Sequence, residues 1–274
     1  MSWGWPGSCL QKTPTSTEVL RVDLNADIGE SFGVYRMGND EMLMRSITSG
    51  SVACGFHAGD PSVMRQTVRL AARAGVAVGA HPSFPDLVGF GRRDLQAEPQ
   101  EIFDFVLYQI GALSGVARAE GVRLQHVKPH GALYSMSARR KDIAEAIARA
   151  VASFDDTLLL VGLPESELIA AGSRLGLRVA REAFADRSYE PDGTLTPRHL
   201  ADSVLSEPGR AVERSVRMIR DRKVVARDGS SIPIQADTIC VHGDTPDAAG
   251  LAAAVRLGLE RAGITVASLT RSDQ

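Results

Sequence analysis

The chain has 274 residues, of which 44% are apolar and 23% charged, and a formal net charge of −2. That length is ordinary for one α/β barrel, about 250 residues, and the composition is that of a globular protein. A balance near neutrality gives no basic surplus to neutralise nucleic-acid phosphates, and no apolar run approaches the roughly 18 residues of a membrane helix, so neither nucleic acid nor a membrane is an expected partner.

Residues 1–19 carry Trp3, Trp5, Pro6 and Pro14 without periodicity, a basic start or a long apolar stretch, and read as a disordered leader rather than a signal peptide. Residues 20–274 read as one domain. Candidate strands fall at 19–25, 51–56, 76–80, 124–128, 157–161, 178–182 and 238–241, with helical patterns between them. Asp60-Pro61 supplies an N-cap and a first-turn proline for a helix ending at Gly75. An amphipathic stretch over 98–119 stops before Gly121, another starts at Ser137, and Thr245-Pro246 repeats the cap-and-proline start, with Gly263 after its end. Residues 224–232 read as a β-hairpin around Asp228-Gly229. Strands alternating with helices over short connections predict a parallel sheet with right-handed crossovers. Seven such units closing on themselves make a (β/α) barrel, with an open doubly wound sheet as the alternative. The cysteines, Cys9, Cys54 and Cys240, are odd in number and far apart, which suits a reduced, cytoplasmic protein.

The polar residues gather at strand ends. Asp23, Asn25 and Asp27 alternate along the first strand and share a face. The second strand runs into His57 and Asp60, the third into His81, and the fourth carries His126, Lys128 and His130 two residues apart. The sixth runs through Glu182 to Asp186 and Arg187, and the seventh ends in His242 and Asp244; of six histidines only His199 falls elsewhere. In parallel α/β folds function sits at the carboxyl ends of strands. A lone His there is more often structural, and Asp60 and Asp244 could each simply cap a helix, but several strands doing so at once point to an active site. We therefore expect Asp23, Asn25, Asp27, His57, His81, Lys128, His130 and His242 to meet in one pocket. Cys54, three residues before His57, is expected to face the helices. His57, His81 and either Asp23 or Asp27 would make a chemically reasonable zinc set. A P-loop, a G-x-G-x-x-G turn, a G-x-S-x-G elbow and an H-E-x-x-H helix are all missing, and the Gly89-Phe90-Gly91-Arg92-Arg93 run lacks a third glycine.

Several of these segments resemble the LamB/YcsF family, whose members are also called the A subunit of 5-oxoprolinase. They are the run from Asp23 through Asp27 and Glu30 to Gly33, Ala53 to Asp60, Gly79 to Ser83, Gly89 to Arg93, His126 to Tyr134, Arg181 to Arg187 and Cys240 to Asp244, spread in family order over about residues 20 to 265. Ser51 and Ser135 stand where the family usually has Asn. The resemblance implies a seven-stranded, TIM-barrel-like (β/α) fold related to glycoside hydrolase and deacetylase barrels. It also implies cleavage of 5-oxo-L-proline to L-glutamate coupled to ATP hydrolysis, together with two other subunits, B and C. Under that reading Asp23, Asp27, His57, His130 and His242 are the catalytic candidates, and Asn25, His81, Lys128, Arg187 and Asp244 bind substrate. A divalent metal on Asp27, His57 and His81 stays open, as does which of the three subunits holds ATP. The alternatives are a metal-dependent amide hydrolase acting alone and a non-catalytic subunit that presents 5-oxoproline to its partners.

Overall fold

A computed structural model describes residues 20–245 and 247–269; the expected leader, Cys9 and Pro246 lie outside them. In chain order the first half contains β1 (Arg21–Ile28), α1 (Asp40–Leu43), β2 (Ser49–Ala53), α2 (Pro61–Ala74), β3 (Ala77–His81), α3 (Pro99–Ala119), β4 (Leu124–Val127), α4 (Gly131–Ser137) and α5 (Lys141–Phe154). The second half contains β5 (Leu159–Gly162), α6 (Glu167–Arg174), β6 (Val179–Phe184), α7 (Pro208–Arg220), β7 (Lys223–Val225), β8 (Ser231–Pro233), β9 (Thr238–Val241), α8 (Ala248–Arg261) and β10 (Thr265–Val266). The strands β1 to β6 pair in sequence, β6 pairs with β9, and β9 pairs back to β1, all parallel. The sheet is thus a closed seven-stranded barrel and not the open alternative. Strand β10 pairs with the first residues of β1, outside the ring, and β7 and β8 form the expected antiparallel hairpin.

Strand alternation sorts the residues. Along β1, Val22, Leu24, Ala26 and Ile28 are buried apolar positions, while Asp23, Asn25 and Asp27 occupy the other face, inside the barrel. The apolar set packs under helices such as α3, whose Ile102, Val106, Ile110, Leu113 and Ala117 recur every three or four residues along one buried stripe. At 21 residues, α3 passes for a bilayer-crossing helix by length and composition alone, though Glu101, Asp104 and Arg118 interrupt its apolar run. It packs instead against α5 and α2. Deleting the bulk of Ile110 should cost about 2–5 kcal/mol, as for other buried aliphatic truncations.

The local signals that mark α2 act as read: Asp60 accepts from the amides of Ser62 and Val63 at 2.9 Å each, and Gly75 closes the helix in the left-handed region at φ 68°. Two helix starts differ. Ser137 ends α4, and the following helix begins only at Lys141. The cap of α8 is Asp247, which accepts from the amide of Gly250, because the Thr245 hydroxyl donates to Asp186 at 3.2 Å instead. The second strand is shorter than expected, so Cys54 and Phe56 lie beyond it. Cys54 nonetheless sits in the apolar core, where burial pushes its thiol up to about 12.

Candidate active site

TIM-type barrels fill their interior with branched apolar side chains, whereas this one is filled with polar residues in tiers. At the bottom, the Asp23 carboxylate accepts from the hydroxyls of Thr48 (2.7 Å), Ser49 (2.7 Å) and Thr238 (2.5 Å). Burial pushes this carboxyl up, only partly offset by those hydroxyls. A strand rises about 3.3 Å per residue, so Asp23 lies about 13 Å from Asp27 along the tilted strand, toward the floor of the barrel. The structure therefore does not bring Asp23 to the mouth, because alternation put it on the right face at the wrong height. His126 is also low. Its Nε2 lies 3.1 Å from the Ser51 hydroxyl, and its ring occupies the space left by Gly79, where an added Cβ would come within 2.1 Å of it.

The middle tier centres on Lys128. Its ammonium donates to Asn25 Oδ1 at 2.8 Å and Glu182 Oε1 at 2.9 Å, and lies 2.7 Å from Asp27 Oδ1 and 3.4 Å from Cys240 Sγ. Burial alone would discharge it, but Asp27, Cys240 and Glu182 outweigh burial and hold it well above the usual lysine range. Asn25 lies beneath, donating to Glu182 Oε1 and Thr238, and so acts on the site by orienting Lys128 and Glu182.

The top tier opens into a cavity of about 550 Å³ whose lining includes Asp27, His81, Lys128, His130, Glu182 and His242. Burial pushes the Asp27 carboxyl up, but His81 and Lys128 prevail and hold it well below the carboxylate range. His242 stacks on Phe184, and its Nδ1 lies 2.9 Å from Asp186. A carboxylate only accepts, so Nδ1 carries the proton and Nε2 keeps a lone pair. Asp186 also accepts from the His242 amide and is held below the usual range, with burial outweighed by His242.

Behind the cavity wall, His57 stacks on His130 with ring centroids 3.8 Å apart, and Phe90 packs edge-on to both. Here the glycine-rich run finds its use. Gly91 sits at φ 65° against His57 and His130, and Phe90 O accepts from His130 Nε2 at 2.9 Å. His81 Nδ1 likewise donates to Lys128 O at 2.7 Å. With those protons placed, His130 Nδ1 turns a lone pair toward His81 Nε2 at 3.0 Å, and the same His81 Nε2 lies 3.3 Å from Asp27 Oδ1, so three acceptor sites converge there. Such a contact needs a shared cation, either a proton or a metal ion. Glu30 Oε1 lies 3.8 Å from His130 Nδ1 and 3.6 Å from His57 Nε2, and neither His57 nitrogen has a hydrogen-bond partner among the described residues. The ligand atoms of Glu30, His57, His81 and His130 all lie within 4.8 Å of one another, so the donor set fits a divalent ion. The expected zinc set of Asp27, His57 and His81 is thus regrouped: Asp27 falls with Cys240 and His242, and Glu30 and His130 join the other two.

The cavity is also lined by Arg92, which stacks on the Phe90 ring at 4.8 Å, and by Arg187, Arg198 and His199, the histidine that sequence position had set apart. Arg187 is buried and donates to the carbonyls of Ser203 and Thr196, and burial with the nearby Arg198 pushes it down to about 10. Asp244 does not cap a helix but holds Arg92 at 2.7 Å and lies 3.9 Å from Arg198. Ser135 lines the cavity and donates to Gly131 O, whereas Ser51 is confined to the barrel interior. Arg198 is a site residue that the sequence does not single out, and Glu30, Glu182, Asp186 and Arg92 fall in strand-end or motif segments but gain no role from them. Glu182 had a usable signal, lying two residues before Phe184 on the inward face of β6, but an arginine on a long loop gives none.

A parallel (β/α) barrel with titratable groups massed at the carboxyl ends of its strands defines an α/β-barrel protein with an enzyme-like site. More narrowly, residues 22–274 match the family model described as the LamB/YcsF family, and the chain belongs to that family. Among relatives, the 5-oxoprolinase A subunit of Methylococcus capsulatus is 58% identical over 248 residues, covering 90% of this chain and 95% of that one. The protein of the same name from Halalkalibacterium halodurans is 53% identical over 250 residues, covering 91% and 97%. The crystal structure of a lactam utilization protein from Thermus thermophilus superposes with a TM-score of 0.86 at 48% identity, covering 91% of this chain and all of that one.

Proposed function

We propose that this chain is the A subunit of a 5-oxoprolinase, a cytoplasmic enzyme that cleaves 5-oxo-L-proline to L-glutamate coupled to ATP hydrolysis, in complex with the B and C subunits. The observation that carries this reading is one cavity lined both by Arg92, the buried Arg187 and Arg198 and by Asp27, His130 and His242. A lactam with a carboxylate, activated by phosphate, needs both: cations for its anionic groups and bases for water. A five-membered lactam carbonyl is a poor electrophile, and a phosphoryl group on the amide oxygen corrects this. Water then adds to the ring carbon, its proton passing to His242 Nε2. The C–N bond breaks with a proton returned to nitrogen, and hydrolysis of the resulting glutamyl phosphate releases L-glutamate and phosphate. Arg187 and Lys128 meet the anionic groups, Asp244 positions Arg92 and Arg198, His81, His130 and Asp27 supply the remaining polar lining, and His57 supports His130 from behind. Purified chain should turn over 5-oxoproline only with its partner subunits and ATP. ATP-independent turnover by the chain alone would refute this assignment.

The convergence of Glu30, His57, His81 and His130 ligand atoms favours one other reading, a metal-dependent amide hydrolase acting alone. A divalent ion held by Glu30, His57, His81 and His130 would supply Lewis-acid polarisation of a carbonyl or a bound water. One equivalent of metal per chain, with turnover lost on chelation and no need for ATP, would support it.

A further inference from the structure

Two polar atoms of the cavity wall are left unused by the chemistry above, the Tyr134 hydroxyl and Glu182 Oε2. Both side chains line the cavity and are buried, at 7% and 0% exposure. Neither atom meets a partner in full hydrogen-bond geometry among the described residues; the Glu182 carboxylate lies close enough to the Tyr134 hydroxyl to act on it but not to satisfy it. Leaving such a group buried and unpaired costs about 1–3 kcal/mol, so an arrangement that keeps two of them side by side is suited to a ligand. Both are held in place. Glu182 Oε1 accepts from Lys128 at 2.9 Å and Asn25 at 3.0 Å, which fixes the rotation of the carboxylate and the direction of Oε2. The Tyr134 ring packs edge-on to Phe184, with centroids 5.9 Å apart. Burial and the nearby Glu182 push its phenol well above the ordinary range, so it stays an O–H donor.

One donor beside one acceptor selects a ligand edge with the opposite pair. A lactam has such an edge, because its ring forces the amide cis and turns C=O and N–H to the same side. An open-chain secondary amide is trans, with the cis form about 2.5–4 kcal/mol higher, and shows the two groups on opposite sides. A lactone offers two acceptors and no donor. We propose that Tyr134 and Glu182 form a two-point clamp for the cis-amide edge of a lactam, Tyr134 donating to the carbonyl oxygen and Glu182 Oε2 accepting from the ring N–H. This rests on the lactam reading given above and adds the feature by which the site tells a lactam from a lactone or an open-chain amide.

The test is calorimetric titration of the full-length chain with 5-oxoproline, its N-methyl derivative and the corresponding γ-lactone carboxylate. Wild-type protein should bind 5-oxoproline at least tenfold more tightly than either analogue, since each lacks the N–H that Glu182 meets. Tyr134→Phe should weaken 5-oxoproline about tenfold. In Glu182→Gln, Lys128 and Asn25 still demand an oxygen at the inner position, so the amide nitrogen takes the place of Oε2 and acceptor becomes donor. The preference for lactam over lactone should then collapse, an effect that a merely structural Tyr134–Glu182 contact would not produce. Equal wild-type affinity for 5-oxoproline and both analogues would overturn the clamp and leave the lactam reading standing. Failure of wild-type protein to bind 5-oxoproline at all would remove the reading beneath it as well. If Glu182→Gln does not fold, the wild-type analogue series and Tyr134→Phe still decide the matter.

Discussion

Lys128 joins the two tasks of the barrel interior, holding strands together and presenting charge to the cavity. Its ammonium neutralises Asp27 and Glu182, which otherwise face each other inside the barrel. Position at a strand end suggests a functional Lys128 replaceable by Met with little change in stability; the network says otherwise. Lys128→Met removes the ammonium shared by two buried carboxylates, leaving Glu182 only Asn25 and Asp27 only His81, and should destabilise by about 3–5 kcal/mol. Turnover per folded molecule should also fall about a hundredfold or more, as for loss of a preorganised charge-stabilising group. Melting curves and activity normalised to folded protein separate the two effects, and unchanged normalised turnover would make Lys128 a strut only. Asp186 allows a pH test. Its carboxyl is depressed on folding, with burial outweighed by His242, so it contributes stability above its unfolded pKa and loses it as pH falls through the folded one. Asp186→Asn should therefore melt below wild type at pH 7, with the gap narrowing once pH drops under about 4. A gap independent of pH would mean that the charge of Asp186 contributes nothing.

At the scale of elements, β3 and β4 fit only because position 79 has no side chain. The Cβ of an alanine there would lie 2.1 Å from His126 Nε2, and the ring is boxed in by Ser51 and Gln125. Gly79→Ala should cost about 1–3 kcal/mol as an overpacked core, and adding His126→Ala should recover much of it. Strict additivity in that double-mutant cycle would show that the two positions do not meet. Helix α2 gives the contrasting case. Asp60 caps it, as its sequence context indicated, and a third amide, that of Gly33, also donates to it at 3.0 Å. Asp60→Ala should lower stability by about 1 kcal/mol and leave turnover per folded molecule unchanged, since Asp60 lies outside the cavity lining.

If the protein works as proposed, the question for the whole molecule is where ATP acts. The sequence carries neither a P-loop nor a dinucleotide turn, and the arginines of the barrel mouth share one cavity with Asp27 and His242. We expect the chain alone to show little ATP hydrolysis, with or without 5-oxoproline, and coupled hydrolysis to appear when the proposed B and C subunits are added. Robust 5-oxoproline-dependent phosphate release by the chain alone would place the entire reaction in this barrel.

All seven barrel strands were legible in the sequence, as were the α2 cap and the hairpin around Asp228-Gly229, because each depends on local rules: period-two alternation, a capping side chain, a turn dipeptide. The inward face of β1 was legible for the same reason. Height along the barrel axis was not, since alternation assigns a face but no depth, and only the register of the closed ring puts Asp23 at the floor and Asp27 at the mouth. Nor could local rules show that Thr245 serves Asp186 rather than a helix end, that Glu30 joins three histidines from three other segments, or that the excursion after β6 carries Arg198 and His199 over the cavity. Those pairings join residues far apart in the chain, and they exist only because the barrel closes and burial leaves each charged group no nearer partner.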